Sequence, residues 1–189
     1  MLSQKRSLGG AIVAVALVLA IAAGPASAAP CDSMGGVSPA AECGAPAPTV
    51  AGPKAKLVEG MAVAPASAPD GVKKVIEAAN KIRTKPYVWG GGHGRWWDQG
   101  YDCSGAVSFA LRGAGLLPSP LDSTGLMSWG IPNAGRWISV YANAGHTYAV
   151  IAGLRWDTAG STKGTGPRWY TSTRSVVPGK FAVRHPIDY

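Results

Sequence analysis

The chain has few of the side chains that bind transition metals, with three histidines and three cysteines among its 189 residues. The histidines, His93, His146 and His185, are scattered, and neither His-Glu-x-x-His nor Cys-x-x-Cys occurs. Zinc sites usually draw on such closely spaced ligands. The sequence therefore predicts no metal centre.

A phosphate-binding signature is also lacking. The glycine-rich run at residues 90–94 has no Gly-Lys-Ser/Thr ending, and it does not open directly into a helix. We expect these glycines to let the backbone pass close to another part of the protein. No cofactor is predicted.

No apolar run is long enough to argue for a membrane-spanning helix. The run at residues 11–23 follows Lys5 and Arg6, and it precedes the small-residue sequence Ala-Ser-Ala at residues 26–28. This is the pattern of a secretory signal peptide. We predict a signal peptide over residues 1–28. The mature protein is then secreted or held at the cell wall, with no transmembrane segment.

Acidic side chains are scarce, with 10 Asp and Glu against 18 Lys and Arg, which gives a formal charge of +8. Two of these positive charges, on Lys5 and Arg6, belong to the predicted signal peptide. Inside a cell this charge would point to nucleic acid. For an exported protein we expect anionic wall polymers or membrane surfaces instead. The alternative is that the charge only keeps the protein soluble.

The cysteines divide into two groups along the chain. Cys31 and Cys43 lie close together in a segment rich in Ala, Pro and Gly, and exported thiols tend to pair. A local disulfide between them would leave Cys103 unpaired, either as an inert buried thiol or as a reactive one. Pairing of Cys103 with one of the others is the alternative, and it would argue against catalysis.

The order of predicted elements indicates an α+β fold. Residues 29–69 have little apolar periodicity and predict an irregular linker. The folded domain is predicted over residues 70–189, beginning with a helix that Asp70 caps and that ends before Pro86. A short strand at residues 86–88, the Cys103 helix and a loop over residues 116–133 follow. The remaining strands are predicted at residues 136–141, 146–152, 154–158, 168–171 and 181–184, at hairpin spacing in an antiparallel sheet.

Cys103 stands at the predicted start of an apolar helix, with Asp102 as its N-cap. A helix N-terminus stabilises negative charge, so it lowers the pKa of a thiol placed there. Its unpaired N–H groups can also receive an oxyanion. The pattern indicates a nucleophile, and a small buried cysteine in a core helix is the alternative.

A cysteine nucleophile needs a base and a group that orients the base. His146 opens a predicted strand and is the candidate base, although a structural role is the alternative. Asp157 follows 11 residues later across a predicted hairpin, where it would lie beside His146. His93, in the glycine-rich loop, competes for this supporting role, and Asp157 would then be an ordinary surface acid.

Three motifs together resemble the NlpC-type family of papain-like cysteine peptidases from bacterial cell walls. They are Pro-Tyr-Val-Trp-Gly-Gly at residues 86–91, Asp-Cys-Ser-Gly at residues 102–105, and Gly-His at residues 145–146. The resemblance covers residues 70–189. It implies a papain-like fold, in which N-terminal helices pack on an antiparallel, barrel-like sheet. It also implies hydrolysis of amide bonds in peptidoglycan stem peptides, often between D-glutamate and the diamino acid.

The resemblance also assigns roles to individual residues. Cys103 is the nucleophile and His146 the base, and Tyr87, with Ser104, supports the oxyanion. Asp102 and Ser104 match positions that contact the free amino end of the stem peptide. Trp89 and His93 are the further substrate-binding candidates in this region.

The sequence departs from the family pattern at two places. The third polar residue usually follows the histidine by about 12 positions, where this chain has Thr158, so Asp157 needs a tight hairpin. The expanded loop around His93 is not typical of the family either. An amidase or acyl transferase using the same Cys103–His146 pair remains an alternative, as does a wall-binding protein without catalysis.

We expect Cys31 and Cys43 to be disulfide-bonded and Cys103 to be free. Peptide mapping of the unreduced protein should recover Cys31 and Cys43 in linked peptides. Iodoacetamide should label Cys103 at mildly acidic pH faster than it labels a cysteine in an unstructured peptide. Recovery of Cys103 in a disulfide would contradict this pairing.

Overall fold

The computed structural model describes residues 47–160 and 166–189. The predicted signal peptide, the Cys31–Cys43 pair and the first part of the predicted linker lie outside the described residues. The elements, in chain order, are β1 (Lys56–Val58), β2 (Met61–Val63), α1 (Asp70–Ile82), α2 (Cys103–Arg112), α3 (Ser123–Ser128), β3 (Ile131–Pro132), β4 (Ile138–Asn143), β5 (His146–Ile151), β6 (Leu154–Asp157), β7 (Arg168–Tyr170) and β8 (Ala182–His185).

Six of the strands form one antiparallel sheet in the order β3-β8-β4-β5-β6-β7. The strand at the centre of the fold, β5, pairs with β4 on one side and with β6 on the other. Helix α2 packs against β5 and β6, and Trp156 Nε1 of β6 donates a buried hydrogen bond of 3.0 Å to the Ala106 carbonyl oxygen. The α+β class with an antiparallel sheet is therefore confirmed.

Helix α1 buries the apolar face that the sequence predicts. Its buried side chains are those of Val72, Val75, Ile76, Ala78, Ala79 and Ile82. Asp70 is not the N-cap, because Pro69 holds that position, and the Asp70 carboxylate lies 3.2 Å from Lys73 Nζ instead. Among the described residues, no helix has both the length and the apolar character needed to cross a membrane.

Part of the segment predicted as a linker contains regular structure ahead of Asp70. Strands β1 and β2 form a hairpin, and the compact unit comprises Pro46–Tyr189. The Asn80 side chain of α1 binds both backbone groups of Ala62, accepting its N–H at 3.1 Å and donating to its carbonyl at 2.8 Å. The hairpin strands are three residues long, which is too short for a periodic pattern to predict them.

Two further predictions differ from the structure. The loop predicted over residues 116–133 contains helix α3, which Asp122 caps by accepting the Gly125 N–H at 2.6 Å, and strand β3. The strand predicted at residues 86–88 is reduced to a single bridge between Tyr87 and Tyr101. This bridge places Tyr87 beside the start of α2.

Candidate active site

Cys103 is the first residue of α2 and a free thiol. Asp102 caps the helix as predicted, since its Oδ1 accepts the Gly105 N–H at 2.7 Å and its carbonyl accepts the Ala106 N–H at 3.0 Å. The first turn of a helix has N–H groups without intrahelical partners. The backbone N–H groups of Cys103 and Ser104 donate to neither the side chain nor the carbonyl of Asp102, and they lie next to the thiol.

The glycine-rich loop lies directly on this helix end. A Cβ on Gly105 would collide with the Gly91 carbonyl oxygen, and that oxygen accepts the Asp102 N–H at 3.2 Å. Gly92 has a φ of +86°, which a residue with a side chain rarely adopts. The glycines therefore serve the close backbone approach that the sequence predicts for them.

His146 and Asp157 form a buried pair, with His146 Nε2 2.9 Å from Asp157 Oδ1. The tight turn at Ala152 and Gly153, both with positive φ, joins β5 to β6 and pairs Ile151 with Leu154. If this pairing is extended along both strands, Asp157 lies opposite Tyr148. It is then diagonal to His146 and on the same face of the sheet. Because Nε2 faces the carboxylate, Nδ1 is the ring nitrogen that remains for the thiol.

The carboxylate of Asp157 is fully buried and has three partners besides His146. Its Oδ1 accepts the Ala159 N–H at 2.9 Å, and its Oδ2 accepts the Ser175 hydroxyl at 2.8 Å. Arg155 Nε lies 3.2 Å from Oδ2. A buried carboxylate needs partners of this kind to offset its removal from water. These contacts fix the Asp157 carboxylate with Oδ1 at the imidazole.

The thiol and the imidazole perturb each other in the directions that nucleophilic catalysis requires. Burial by itself raises the pKa of Cys103, but the His146 imidazole, the Ser123 hydroxyl and the Thr147 N–H bring this pKa below its usual value. Burial by itself lowers the pKa of His146, whereas Asp157 and then Cys103 raise this pKa to about 9. The two groups therefore favour a thiolate and an imidazolium.

A cleft of about 310 Å³ opens beside the thiol. Its lining comprises Tyr87, Trp89, Gly90, His93, Asp102, Cys103, Ser104, Asp122, Ser123, Thr124, Ala144 and Gly145. Burial, and then the charges of Cys103 and Asp102, raise the pKa of Tyr87, so that its hydroxyl remains a donor. Trp89 is 87% exposed at this cleft.

His93 lies in the cleft but belongs to a different cluster from His146. Its Nε2 is 3.1 Å from Asp102 Oδ1 and 3.1 Å from Ser104 Oγ, and the Ser104 hydroxyl donates to the same carboxylate oxygen at 3.1 Å. The structure thus places Asp157, and not His93, beside the candidate base. Within residues 47–160 and 166–189, no three His, Cys, Asp or Glu side chains are grouped to hold a metal ion.

Three residues of the site were missed by sequence reasoning. Ser123 Oγ lies 3.8 Å from Cys103 Sγ, and the capping sequence at residues 122–125 was an available signal for the helix that positions it. Arg155 precedes Asp157 by two positions, which places both on one strand face. Ser175 follows Asp157 by 18 residues with no motif, so no signal for it was available.

Comparison with known proteins finds likeness in structure alone. No protein-family profile matches the chain, and no curated protein matches it significantly. The chain is similar to the crystal structure of the P60 domain of the M. avium subspecies paratuberculosis antigen MAP1204, with 21% identity, a TM-score of 0.46, and coverage of 64% of this chain and 97% of that domain.

Two larger structures are also similar. A mutated form of the Resuscitation Promoting Factor Interacting protein RipA shows 20% identity and a TM-score of 0.44. Rv1477, a hypothetical invasion protein of Mycobacterium tuberculosis, shows 20% identity and a TM-score of 0.42. Each match covers 61% of this chain and 62% of the other, so the chain spans less than two thirds of their length.

Replacing Asp157 by Asn should raise the pH at which Cys103 becomes reactive. The neutral amide stabilises the imidazolium less, so the pKa of His146 falls from about 9. With less positive charge beside it, the thiol then loses its proton at higher pH. The rate of iodoacetamide alkylation of Cys103, measured against pH, should show a midpoint displaced upward in Asp157→Asn.

The matched comparison is His93→Ala, with folding of both variants checked by circular dichroism. His93 contacts Asp102 and Ser104 and has no contact with Asp157 among the hydrogen bonds of the described residues. Its midpoint should therefore stay near that of the wild type. A midpoint that moves in His93→Ala and not in Asp157→Asn would contradict the assignment of Asp157.

Proposed function

We propose that the protein is a secreted cysteine peptidase that hydrolyses amide bonds in peptidoglycan stem peptides. The observation that carries the proposal is the arrangement of Cys103, His146 and Asp157. A thiol at a helix N-terminus, an imidazole that lowers its pKa and a buried carboxylate on the far side of that imidazole stand together, and the thiol lines an open cleft. This set supplies a nucleophile, a base and an orienting group.

The reaction begins with the Cys103 thiolate. Its sulfur bonds to the carbonyl carbon of the scissile amide, and the carbonyl π electrons move to the oxygen. The N–H of Cys103 and the Tyr87 hydroxyl are the donors available for this oxyanion. The His146 imidazolium then gives its proton to the leaving nitrogen as the C–N bond breaks, which leaves a thioester.

Hydrolysis of the thioester returns the enzyme to its first state. Neutral His146 takes a proton from water as the water oxygen bonds to the thioester carbon, and the C–S bond then breaks to release the acid and the thiolate. Asp157 keeps its position throughout, because its contacts with His146, Ala159, Ser175 and Arg155 fix the carboxylate. Its part is to fix the imidazole and to stabilise the imidazolium.

The substrate class rests on the sequence. The three motifs of the NlpC-type resemblance, the predicted signal peptide and the positive formal charge all favour a peptide substrate in the anionic cell wall. The amidase and acyl-transferase alternatives use the same Cys103–His146 pair and differ in the bond cleaved or in the acceptor. A wall-binding protein without catalysis would need no buried Asp157 behind His146.

Digestion of purified peptidoglycan tests the function. The mature protein should release fragments whose masses show cleavage within the stem peptide. Cys103→Ala and His146→Ala should abolish release, and Asp157→Asn should lower turnover by about tenfold to a thousandfold while affecting substrate binding less. His185→Ala, a histidine substitution on β8 away from the cleft, is the matched control.

The fragments also separate the alternatives. Cleavage between the sugar and the peptide would identify an amidase. Full binding to the cell wall without any release would indicate the non-catalytic protein. Full activity of Cys103→Ala would contradict the mechanism.

Binding to isolated cell walls should weaken as salt rises. The chain has an excess of Lys and Arg, and attraction between exposed charges is screened within about 8 Å at physiological ionic strength. Pull-down of Cys103→Ala with isolated walls at low and high salt measures this effect without degrading the walls. Binding that does not change with salt would argue against anionic wall polymers as partners.

A further inference from the structure

One side-chain nitrogen of Arg168, on β7, binds three backbone carbonyl oxygens. Its Nη1 lies 2.7 Å from the oxygen of Arg83, 3.1 Å from that of Lys85 and 2.7 Å from that of Pro167. Arg83 and Lys85 belong to the segment that follows α1, which is far from Arg168 in sequence. A guanidinium nitrogen of this kind has two hydrogens, so three carbonyls exceed its donors and at least one hydrogen is shared. Charged donors form stronger hydrogen bonds than neutral ones, and Arg168 therefore fixes this segment against β7.

The backbone just ahead of Arg168 packs on the same segment. Gly166 is buried and has a φ of +148°. A Cβ at this position would collide with the Lys85 carbonyl oxygen and would lie 3.1 Å from the backbone nitrogen of Tyr87. The start of β7 is thus docked, by backbone and by side chain, on the stretch that leads into Tyr87.

Tyr87 carries this stretch into the cleft. Its backbone forms a bridge with Tyr101, two residues before Cys103, and its side chain lines the cleft together with the thiol. Burial, and then the charges of Cys103 and Asp102, raise the pKa of its hydroxyl, so the hydroxyl keeps its proton beside the thiolate. A donor at this place can bind the oxygen that becomes negative when the thiolate attacks a carbonyl.

We propose that Arg168 is a positioning residue that acts through Tyr87: by binding the carbonyl oxygens of Arg83 and Lys85, it holds the Tyr87 hydroxyl where the oxyanion forms. This inference rests on the proposed function, since it requires attack by Cys103 on a carbonyl carbon.

An action of Arg168 on the catalytic base is the competing explanation. Arg168 pairs with Asp157 across β6 and β7. Among the residues that the structure describes, however, the ion pair of that carboxylate with an arginine is made by Arg155. The experiment must therefore separate an effect on the oxyanion from an effect on the thiolate.

Two reagents make this separation, because only one of them produces an oxyanion. With p-nitrophenyl acetate, the sulfur of Cys103 bonds to the acetyl carbon through an oxyanion, and p-nitrophenolate then leaves. Iodoacetamide alkylates the same sulfur by loss of iodide and forms no oxyanion. Arg168→Met should lower the rate of acylation by about tenfold or more, and it should leave the rate of alkylation and its dependence on pH unchanged.

Three further variants link the effect to Tyr87. Tyr87→Phe should also slow acylation, and Tyr87→Phe combined with Arg168→Met should be no slower than Tyr87→Phe by itself, because the two residues act as a unit. Arg168→Lys retains a positive nitrogen with three N–H donors, one for each carbonyl, and should recover much of the rate.

The matched control is Arg136→Met, which removes an arginine that packs on Trp137 outside the cleft lining, and it should behave as the wild type. Circular dichroism checks the folding of every variant. Trp169 Nε1 donates to Asn80 Oδ1 at 2.9 Å, so β7 stays bound to α1 when Arg168 is replaced.

Each contrary result would overturn the inference. These results are full acylation of Arg168→Met or of Tyr87→Phe, an equal loss of alkylation, a shift in its midpoint, and a full effect of Arg168→Met in the Tyr87→Phe background. Acylation of Arg168→Lys as slow as that of Arg168→Met, or no acylation of the wild type, would overturn it as well. If acylation follows the expected pattern but the wild-type protein releases nothing from peptidoglycan, the proposed function fails while the role of Arg168 stands.

Discussion

The site depends on one buried carboxylate, that of Asp157. Removing a carboxylate from water costs several kcal/mol unless donors surround it. The structure meets this cost with three hydrogen-bonding groups, His146 on β5, the backbone at Ala159 and the hydroxyl of Ser175, and with the ion pair to Arg155 on β6. Ser175 belongs to the segment between β7 and β8. Its hydrogen bond to Asp157 therefore links that segment to the His146–Asp157 pair.

The turn between β5 and β6 sets where Asp157 stands relative to His146. Side chains alternate between the two faces of a strand, so a two-residue turn that pairs Ile151 with Leu154 sets Asp157 on the face of His146. Thr158, one residue later, would face the other way if the strand continued. The length of this turn therefore brings the Asp157 carboxylate to the His146 imidazole.

The features predicted from sequence are those with local signals. The capped helix at Cys103, the hairpin carrying His146 and Asp157, and the α+β class all follow from caps, periodicity and turn chemistry, and the structure bears them out. The β1–β2 hairpin escaped prediction because its three-residue strands gain their order from Asn80, 18 positions away. The contact of Ser175 with Asp157 was likewise long-range. The sequence left open whether His93 or Asp157 lies beside His146. That depends on contacts between distant parts of the chain, which local patterns do not encode.

The contact between Gly105 and the Gly91 carbonyl limits which amino-acid substitutions the protein can tolerate. Any side chain at position 105 would push the loop away from the helix. The same displacement would pull Gly91 from the Asp102 N–H and disturb the cap that sets the thiol in place. A substitution there would thus damage the fold and the chemistry together. Substitutions that spare this contact are confined to the parts of the loop with room around them, such as the exposed Trp89 and the open position at Gly94.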